Sequence, residues 1–441
     1  MRSLTLLAGI AALANAQLLP LSDLEAMTAP PVKYAPQGVG AVSDAVSYDS
    51  KSTYDSTYSD FYSSLKGSSK IKRTIRTPFT KRTDIPCSQQ APGSGPTVDD
   101  PDSADTFLAY QPFHDTASSA ATPDGWVSVF NDLSRTVKST MGYLGSDSLD
   151  SYDSSVCTAR CNDKDGCQSV NLFFERDPTL NPSEDCANPP STTVIKCVYW
   201  GIKITVDDAT NDGQYRNDFH VVQTGSNGYT RASAPELPGY DVTPLGDATI
   251  NADTSCNSYI TYKSWNDGSP FDPARCAAAC EAESQYNIDH LCSRSICRFF
   301  NTYILVKNGV AQGQICALYT RSWDSSYATN YGEHSTDGAD EYTRTSSYTY
   351  SNHTDPGANI CNHDCMSQDP CPSCPASSST TTPLATSWST TYSSSSTTDA
   401  FTSTADTSSL TTTSDTSSSW TTTGAATTST TDSITTTDST R

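Results

Sequence analysis

Cys276-Ala-Ala-Ala-Cys280, Cys297-Arg-Phe-Phe-Asn301-Thr-Tyr303 and Cys316-Ala-Leu-Tyr319 repeat an order already set earlier in the chain. The first copy reads Cys157-Thr-Ala-Arg-Cys161, Cys167-Gln-Ser-Val-Asn171-Leu-Phe-Phe174 and Cys197-Val-Tyr-Trp200. Three landmarks recur in one order, which chance explains poorly. Cysteines four apart project from one face of a helix. The segments that follow alternate as strands do, with Phe173, Phe174, Phe299, Phe300 and Tyr303 as core positions. The spacing predicts an α+β chain in which one helix is pinned to a small antiparallel sheet, twice over.

The redox setting follows from the N-terminus. Arg2, the apolar run Leu4 to Leu13 and the small-residue site Ala14-Asn15-Ala16 form a secretory signal peptide over residues 1–16. The apolar run is too short to span a bilayer, and no later segment is apolar enough to do so. In an oxidising compartment an even number of cysteines reads as disulfides, and there are 16. A net charge of -22 and a pI near 4.4 exclude nucleic acid as a partner, because a phosphate backbone would be repelled. The expected setting is extracellular, with association to a cell wall.

The chain divides by composition. Residues 17–82 are rich in Ser, Tyr and Asp without a sustained period, and read as a disordered pro-segment. Lys81-Arg82 closes it just before Cys87, a site for a protease that reads paired cations; Lys72-Arg73 is a second such site. Residues 83–230 hold an N-terminal extension and the first repeat, with Trp126 to Phe130 a strand and Asp132 to Met141 weakly helical. Asp153 or Ser154 is expected to cap the first helix, and Gly225-Ser-Asn-Gly228 to close the strand Phe219 to Gln223. Residues 231–255 form a connector and residues 256–325 the second repeat. There Asp272 caps a helix, with Pro273 at its first position, and Lys307-Asn-Gly309 is a hairpin turn. Residues 326–375 are a Tyr-rich segment with a four-cysteine cluster. Residues 376–441, almost wholly Ser and Thr, cannot offset the entropy of ordering and read as a disordered, O-glycosylated stalk.

The cysteine frame with its strand aromatics resembles the PAN/apple domain, most clearly in the second repeat. The run Phe173-Phe-Glu-Arg-Asp-Pro178, with Ile195-Lys-Cys197 and Phe219-His-Val-Val, also resembles fungal secreted apple-like proteins described as carbohydrate-binding-like. The first repeat departs through its Pro-rich insertion and Cys186. The resemblance implies two small apple-like modules, each an antiparallel sheet plus one helix. It implies the pairs Cys276–Cys316, Cys280–Cys297, Cys157–Cys197 and Cys161–Cys167, with Cys256–Cys292 completing the second module and Cys87–Cys186 left for the first. Spacing alone does not fix connectivity.

Each candidate site in the chain also has a plain structural role. Cys361, Cys365, Cys371 and Cys374, with His363 between, have metal-like spacing, but in a secreted chain two local disulfides are the expectation, so no metal is expected. Asp208-x-Thr210-x-Asp212-Gly213 lacks the terminal Glu of a calcium loop, because Phe219 stands there. Glu175 with Asp177, and Glu184 with Asp185, are carboxylate pairs of the type glycoside hydrolysis needs; in so acidic a chain they read as surface charge. No nucleophile elbow, zinc-protease helix, phosphate loop or dinucleotide fingerprint occurs, so no enzyme and no cofactor is expected. Asn352-His-Thr354 is a glycosylation sequon. Tyr199, Trp200, Trp265 and Trp323 are the aromatics on which a sugar face would stack. The expected function is extracellular binding of cell-wall polysaccharide or protein. A structural wall glycoprotein is the alternative, and a secreted glycoside hydrolase a third reading.

Overall fold

The computed structural model describes residues 19–44, 50–65, 85–98, 100–253, 257–291 and 295–354. The signal peptide, Lys81-Arg82, Cys256, Cys292, the Cys361 to Cys374 cluster and the Ser/Thr-rich tail lie outside the described residues.

The N-terminal part contributes a short helix α1 (Leu21–Ala26), strand β1 (Val42–Ser43) and helix α2 (Ser50–Leu65). The first half then runs through α3 (Ala104–Leu108), α4 (Gln111–Ser119), β2 (Trp126–Leu133), β3 (Tyr143–Leu149), α5 (Ser154–Asn162), β4 (Ser169–Pro178) and β5 (Ser191–Trp200). A small hairpin of β6 (Gln214–Arg216) and β7 (Phe219–Val221) leads into β8 (Gln223–Arg231). The second half has β9 (Tyr240–Gly246), β10 (Thr249–Ile250), β11 (Tyr259–Trp265), α6 (Pro273–Leu291), β12 (Phe299–Lys307), β13 (Val310–Tyr319), β14 (Ala328–Asn330), β15 (Gly332–His334) and β16 (Glu341–Asn352).

The two halves have one topology. The first sheet is ordered β1-β3-β5-β4-β8-β2, and the second β11-β13-β12-β16-β15 with β9 also paired to β16. Setting aside β1 and β15, β3-β5-β4-β8-β2 corresponds to β11-β13-β12-β16-β9, and the helix falls between the same strands in each. All of these pairings are antiparallel. The connector and the Tyr-rich segment therefore contribute β9, β15 and β16 to the second sheet, while β10 and β14 pair with each other. Pro244 sits on β9 at the sheet edge, where its missing N–H costs no ladder bond.

Local chemistry explains the elements. The Asp153 side chain accepts from the amides of Ser155 and Val156 and starts α5. Asp272 accepts from the Ala274 amide, and Pro273 opens α6. Asn308 and Gly309 both have positive φ, 50° and 77°, as a tight hairpin between β12 and β13 requires. Among the described residues five cysteine pairs lie at bonding distance: Cys87–Cys186, Cys157–Cys197, Cys161–Cys167, Cys276–Cys316 and Cys280–Cys297. They are the pairs the apple-like frame implies, and the helix-to-strand bridge spans 40 residues in both halves.

The repeated asparagines are internal pins. Asn171 accepts from the Val137 amide at 2.9 Å and donates to Ser226 Oγ and the Asn227 carbonyl. Asn301 accepts from the Ile250 amide at 2.9 Å and donates to Ser347 Oγ and the Tyr348 carbonyl. Each ties the central strand to its neighbour and to the chain entering the next element. Each donates across a bulge whose extra residue has positive φ, Gly225 at 58° in the first half and Ser346 at 51° in the second.

Two hydrophobic clusters dominate. One lies between α5 and the first sheet and holds Cys157, Cys161, Leu172, Phe174, Cys197 and Tyr199. The other is continuous from Phe173, Val198 and Trp200 of the first half to Phe300, Ile304, Cys316 and Leu318 of the second. At the junction Phe271 donates its amide to the Gly201 carbonyl at 2.7 Å. Among the described residues no helix is long and apolar enough to cross a membrane.

Three expectations differ from the structure. Asp132 to Met141 is not helical; β2 runs to Leu133, and Asp132 takes a positive φ of 52° and donates its backbone amide to Asn227 Oδ1 at 2.9 Å. Gly225-Ser-Asn-Gly228 is not a closing turn but the buried interior of β8, carried through its bulge by Gly225. The described part of residues 17–82 is not disordered. Leu19 and Leu24 pack on Tyr303, Leu305, Ile315 and Tyr342 of the second sheet, and Val42 and Ser43 add a strand to the first. Helix α2 lies along α6, with the Tyr58 hydroxyl donating to Asp289 at 2.8 Å.

Candidate functional site

Strand β4 carries Phe173-Phe-Glu-Arg-Asp-Pro178, and every residue of it is buried. Alternation sends its side chains to opposite faces. Phe174 and Arg176 lie on the helix-bearing face, where Arg176 donates to Asp102 Oδ1 at 2.7 Å and to the His220 carbonyl at 2.9 Å, over the Phe219 ring. Phe173, Glu175 and Asp177 lie on the helix-free face. Lys196 on β5 stands opposite Phe173 and so shares that face. Gln223 on β8 stands opposite Glu175.

These side chains form one polar cluster inside the fold. The Lys196 ammonium pairs with Glu175 Oε1, and both side chains are 2% exposed. Gln223 donates to Glu175 Oε2 at 3.0 Å. Lys196 also donates to the Pro36 carbonyl of the N-terminal segment, which covers the cluster. Neither carboxyl oxygen of Asp177 finds a donor in good geometry, and Gln223 Oε1 and Gln37 Nε2 are likewise unmatched. Burial, and then the Glu175 carboxylate beside it, hold the Asp177 carboxyl well above the usual carboxylate range. Lys196 and the Gly38 amide offset only part of that rise.

The expectation that Glu175 and Asp177 are surface charge is corrected by their burial, at 2% and 1% exposure. Charge of this kind usually stays in water; here Lys196 supplies the partner, from a strand that the sequence alone does not place alongside. The signal was nevertheless present. Glu175 stands eight residues after Cys167, as Leu305 stands eight after Cys297, and Lys196 precedes Cys197 as Ile315 precedes Cys316. At these two positions a charged residue in one copy stands where the other has an apolar one.

The aromatic candidates fare differently. Tyr199, Trp200 and Trp323 are buried, so none offers a ring face to a sugar; each completes a core. Trp265 is half-buried beneath the Arg275 guanidinium, 4.6 Å from the ring centre. Glu184 and Asp185 are exposed in the loop beside Cys186. Asn352, at the end of β16, accepts from the Thr354 amide and hydroxyl, both at 2.9 Å, and is accessible to solvent. Among the described residues no group of three or more His, Cys, Asp or Glu side chains could hold a metal ion. Asp208 instead accepts from Thr205 to cap a short turn.

No family model, no curated protein and no solved structure matches this chain.

Proposed function

We propose that the protein is a secreted binding glycoprotein that recognises cell-wall polysaccharide through its duplicated, apple-like halves. The observation that carries this reading is the difference between the copies. The repeated cysteines and asparagines are consumed in holding two equivalent sheets. The face that differs carries Glu175, Asp177 and Lys196 in one half and Leu305, Lys307 and Ile315 at the same positions in the other. A buried ion pair is weak support for stability, since apolar residues of similar size serve as well or better. The second half also buries a pair on this face, Arg344 with Glu333, but from other positions; it is charge at the Glu175 and Lys196 positions of one copy alone that supports recognition.

A second reading, glycoside hydrolysis, is favoured only by the pairing of Glu175 with Asp177. That chemistry sets its carboxyls roughly 5 Å or more apart with the sugar between them. Here the Glu175 carboxylate is already engaged by Lys196 and Gln223 and both carboxyls are buried, which suits holding hydroxyl groups better than cleaving a glycosidic bond. The test is retention of the secreted chain on chitin, β-glucan and cell-wall fractions. Retention above that of serum albumin is expected; retention equal to albumin on all three would refute the reading.

A further inference from the structure

The N-terminal segment meets the same face of both halves. On the second half Leu19 and Leu24 cover Leu305 and Ile315. On the first half the Pro36 carbonyl accepts from Lys196, the positional counterpart of Ile315, beside Glu175, the counterpart of Leu305. The segment is matched to its seat beyond these anchors. Val42 and Ser43 pair with Ser146 and Gly145 of β3. Gly145 has φ 119°, and a Cβ there would stand 1.9 Å from the Val42 carbonyl oxygen, so only glycine admits the strand. Lys33 pairs with Asp44 across the segment, and its backbone bonds Ser139 in both directions.

The fit at the polar cluster is incomplete. The segment brings the Pro36 carbonyl to Lys196 and the Gly38 amide toward Asp177, but no donor in good geometry reaches either Asp177 oxygen or Gln223 Oε1. A buried acceptor left unmatched forfeits the hydrogen bonds it had with water and destabilises the closed arrangement. Leu305 and Ile315 show that the same fold closes these positions with apolar side chains. The segment is also followed by Lys81-Arg82, ahead of Cys87.

We infer that Glu175, Asp177, Lys196 and Gln223 form a carbohydrate subsite, that residues 35–38 occupy it in the uncut chain, and that cutting after Arg82 frees it. The inference rests on the binding reading above. The class of ligand follows from the groups. Lys196 needs an acceptor in place of the Pro36 carbonyl, while Asp177 and Gln223 need donors. A hydroxyl serves as either. Two carboxyls repel an anion, and the Lys196 ammonium repels a cation. A neutral, polyhydroxylated ligand remains. Ala35 shares a cluster with Phe173, the aromatic neighbour of Glu175 on this face, so removal of the segment also uncovers apolar surface of the kind on which sugar C–H groups pack.

The experiment uses the full secreted chain, uncut and cut after Arg82 by a protease specific for paired basic residues. Gel filtration and mass spectrometry follow departure of the segment, and calorimetry measures binding of chitohexaose and laminarihexaose. A second chain, Leu24→Asp, loosens the segment should the cut piece stay seated. A third, Glu175→Leu with Lys196→Ile, copies the second half into the first and retains the fold's own apolar solution. The cut chain is expected to bind one hexaose at least tenfold more tightly than the uncut chain, and the double variant to lose that gain. Equal binding before and after cutting, or a gain that survives the double variant, overturns the subsite while leaving the binding reading intact. A segment that stays seated even with Leu24→Asp overturns the opening step. Absence of binding to either hexaose or to wall fractions in every form refutes both. Release of new reducing ends replaces the binding subsite with a catalytic one.

Discussion

Leu24 is the anchor whose removal most directly tests how the N-terminal segment is held. It is 1% exposed, on a helix of only six residues, α1, and packs in one cluster with Leu19, Tyr303, Leu305, Ile315 and Tyr342. So short a helix has no stability of its own, so the attachment of this stretch rests on what its side chains bury. Replacing a buried leucine with alanine typically costs about 2–5 kcal/mol, from lost transfer energy and the cavity left behind. A terminal segment can collapse or leave, which places Leu24→Ala toward the lower end, about 2–3 kcal/mol. At 1.4 kcal/mol per factor of ten this weakens retention of the cut segment roughly 30- to 150-fold. The assay is the dissociation constant of the segment from the cut chain, read by mass spectrometry after rapid gel filtration. Hydrogen exchange of β12 and β13 amides reports uncovering in the uncut chain. Glu25→Ala is the control: Glu25 is adjacent and exposed, and should change retention by no more than about 0.5 kcal/mol. The reasoning fails if Leu24→Ala and Glu25→Ala release the segment alike. It also fails if Leu24→Ala lowers the urea midpoint of the whole chain as much as it loosens the segment, because Leu24 would then be core and not anchor.

Two further outcomes follow from buried polar groups. Asn171→Ala and Asn301→Ala each remove three hydrogen bonds and strand a buried amide, so each should cost about 2–4 kcal/mol in urea unfolding, with similar values because the contacts are equivalent; a gap of more than 2 kcal/mol between them would contradict the equivalence. Asp177 has its carboxyl raised above the ordinary 3.8 by burial and then by Glu175, so the folded chain holds a proton that the unfolded chain has lost. Its contribution is then most favourable below pH 3.8 and declines as pH rises through the folded value. Asp177→Asn, which cannot ionise, should remove that decline, and the difference in urea midpoint between variant and parent should grow from pH 3.5 to pH 7; a difference constant with pH would show that Asp177 does not carry a bound proton in the folded state.

What was legible in the sequence was what local chemistry or repetition writes down. The cysteine offsets laid out two helix-pinned sheets, Asp153 and Asp272 marked helix starts, and Asn308-Gly309 marked a hairpin. The misses share a cause, which is long-range pairing. Leu19, Leu24 and Ala35 are too sparse to show a period, yet each finds a buried site on a sheet formed far along the chain. Gly225 and Gly228 look like a turn until β4 and β2 lie on either side of β8. Glu175 and Asp177 look like surface charge until β5 brings Lys196 beside them. In each case the residue type gives the ordinary reading, and only strand register overturns it.

The duplicated fold supplies its own control for why the polar cluster exists. If Glu175, Lys196 and Gln223 served only to seat the segment on the first sheet, an apolar pair would do so at lower desolvation cost, and Leu305 with Ile315 does so on the second. If they served only to hold the sheet together, the eight-residue offset from the repeated cysteine would be expected to carry the same kind of residue in both halves, as the asparagine four residues after that cysteine does. The second half also buries an ion pair on this face, Arg344 with Glu333, with Arg344 opposite Leu305 on the neighbouring strand; neither role accounts for charge at the Glu175 and Lys196 positions in one copy and apolar side chains there in the other. What the cluster has, and the apolar pair lacks, is the ability to exchange partners: the lysine and two carboxyls can pass from a backbone carbonyl and amide to the hydroxyls of a ligand without a net change in charge. The asymmetry between the halves is therefore better explained by a removable occupant than by folding alone, and it assigns distinct tasks to one segment, an apolar anchor on the second sheet and a polar cover on the first.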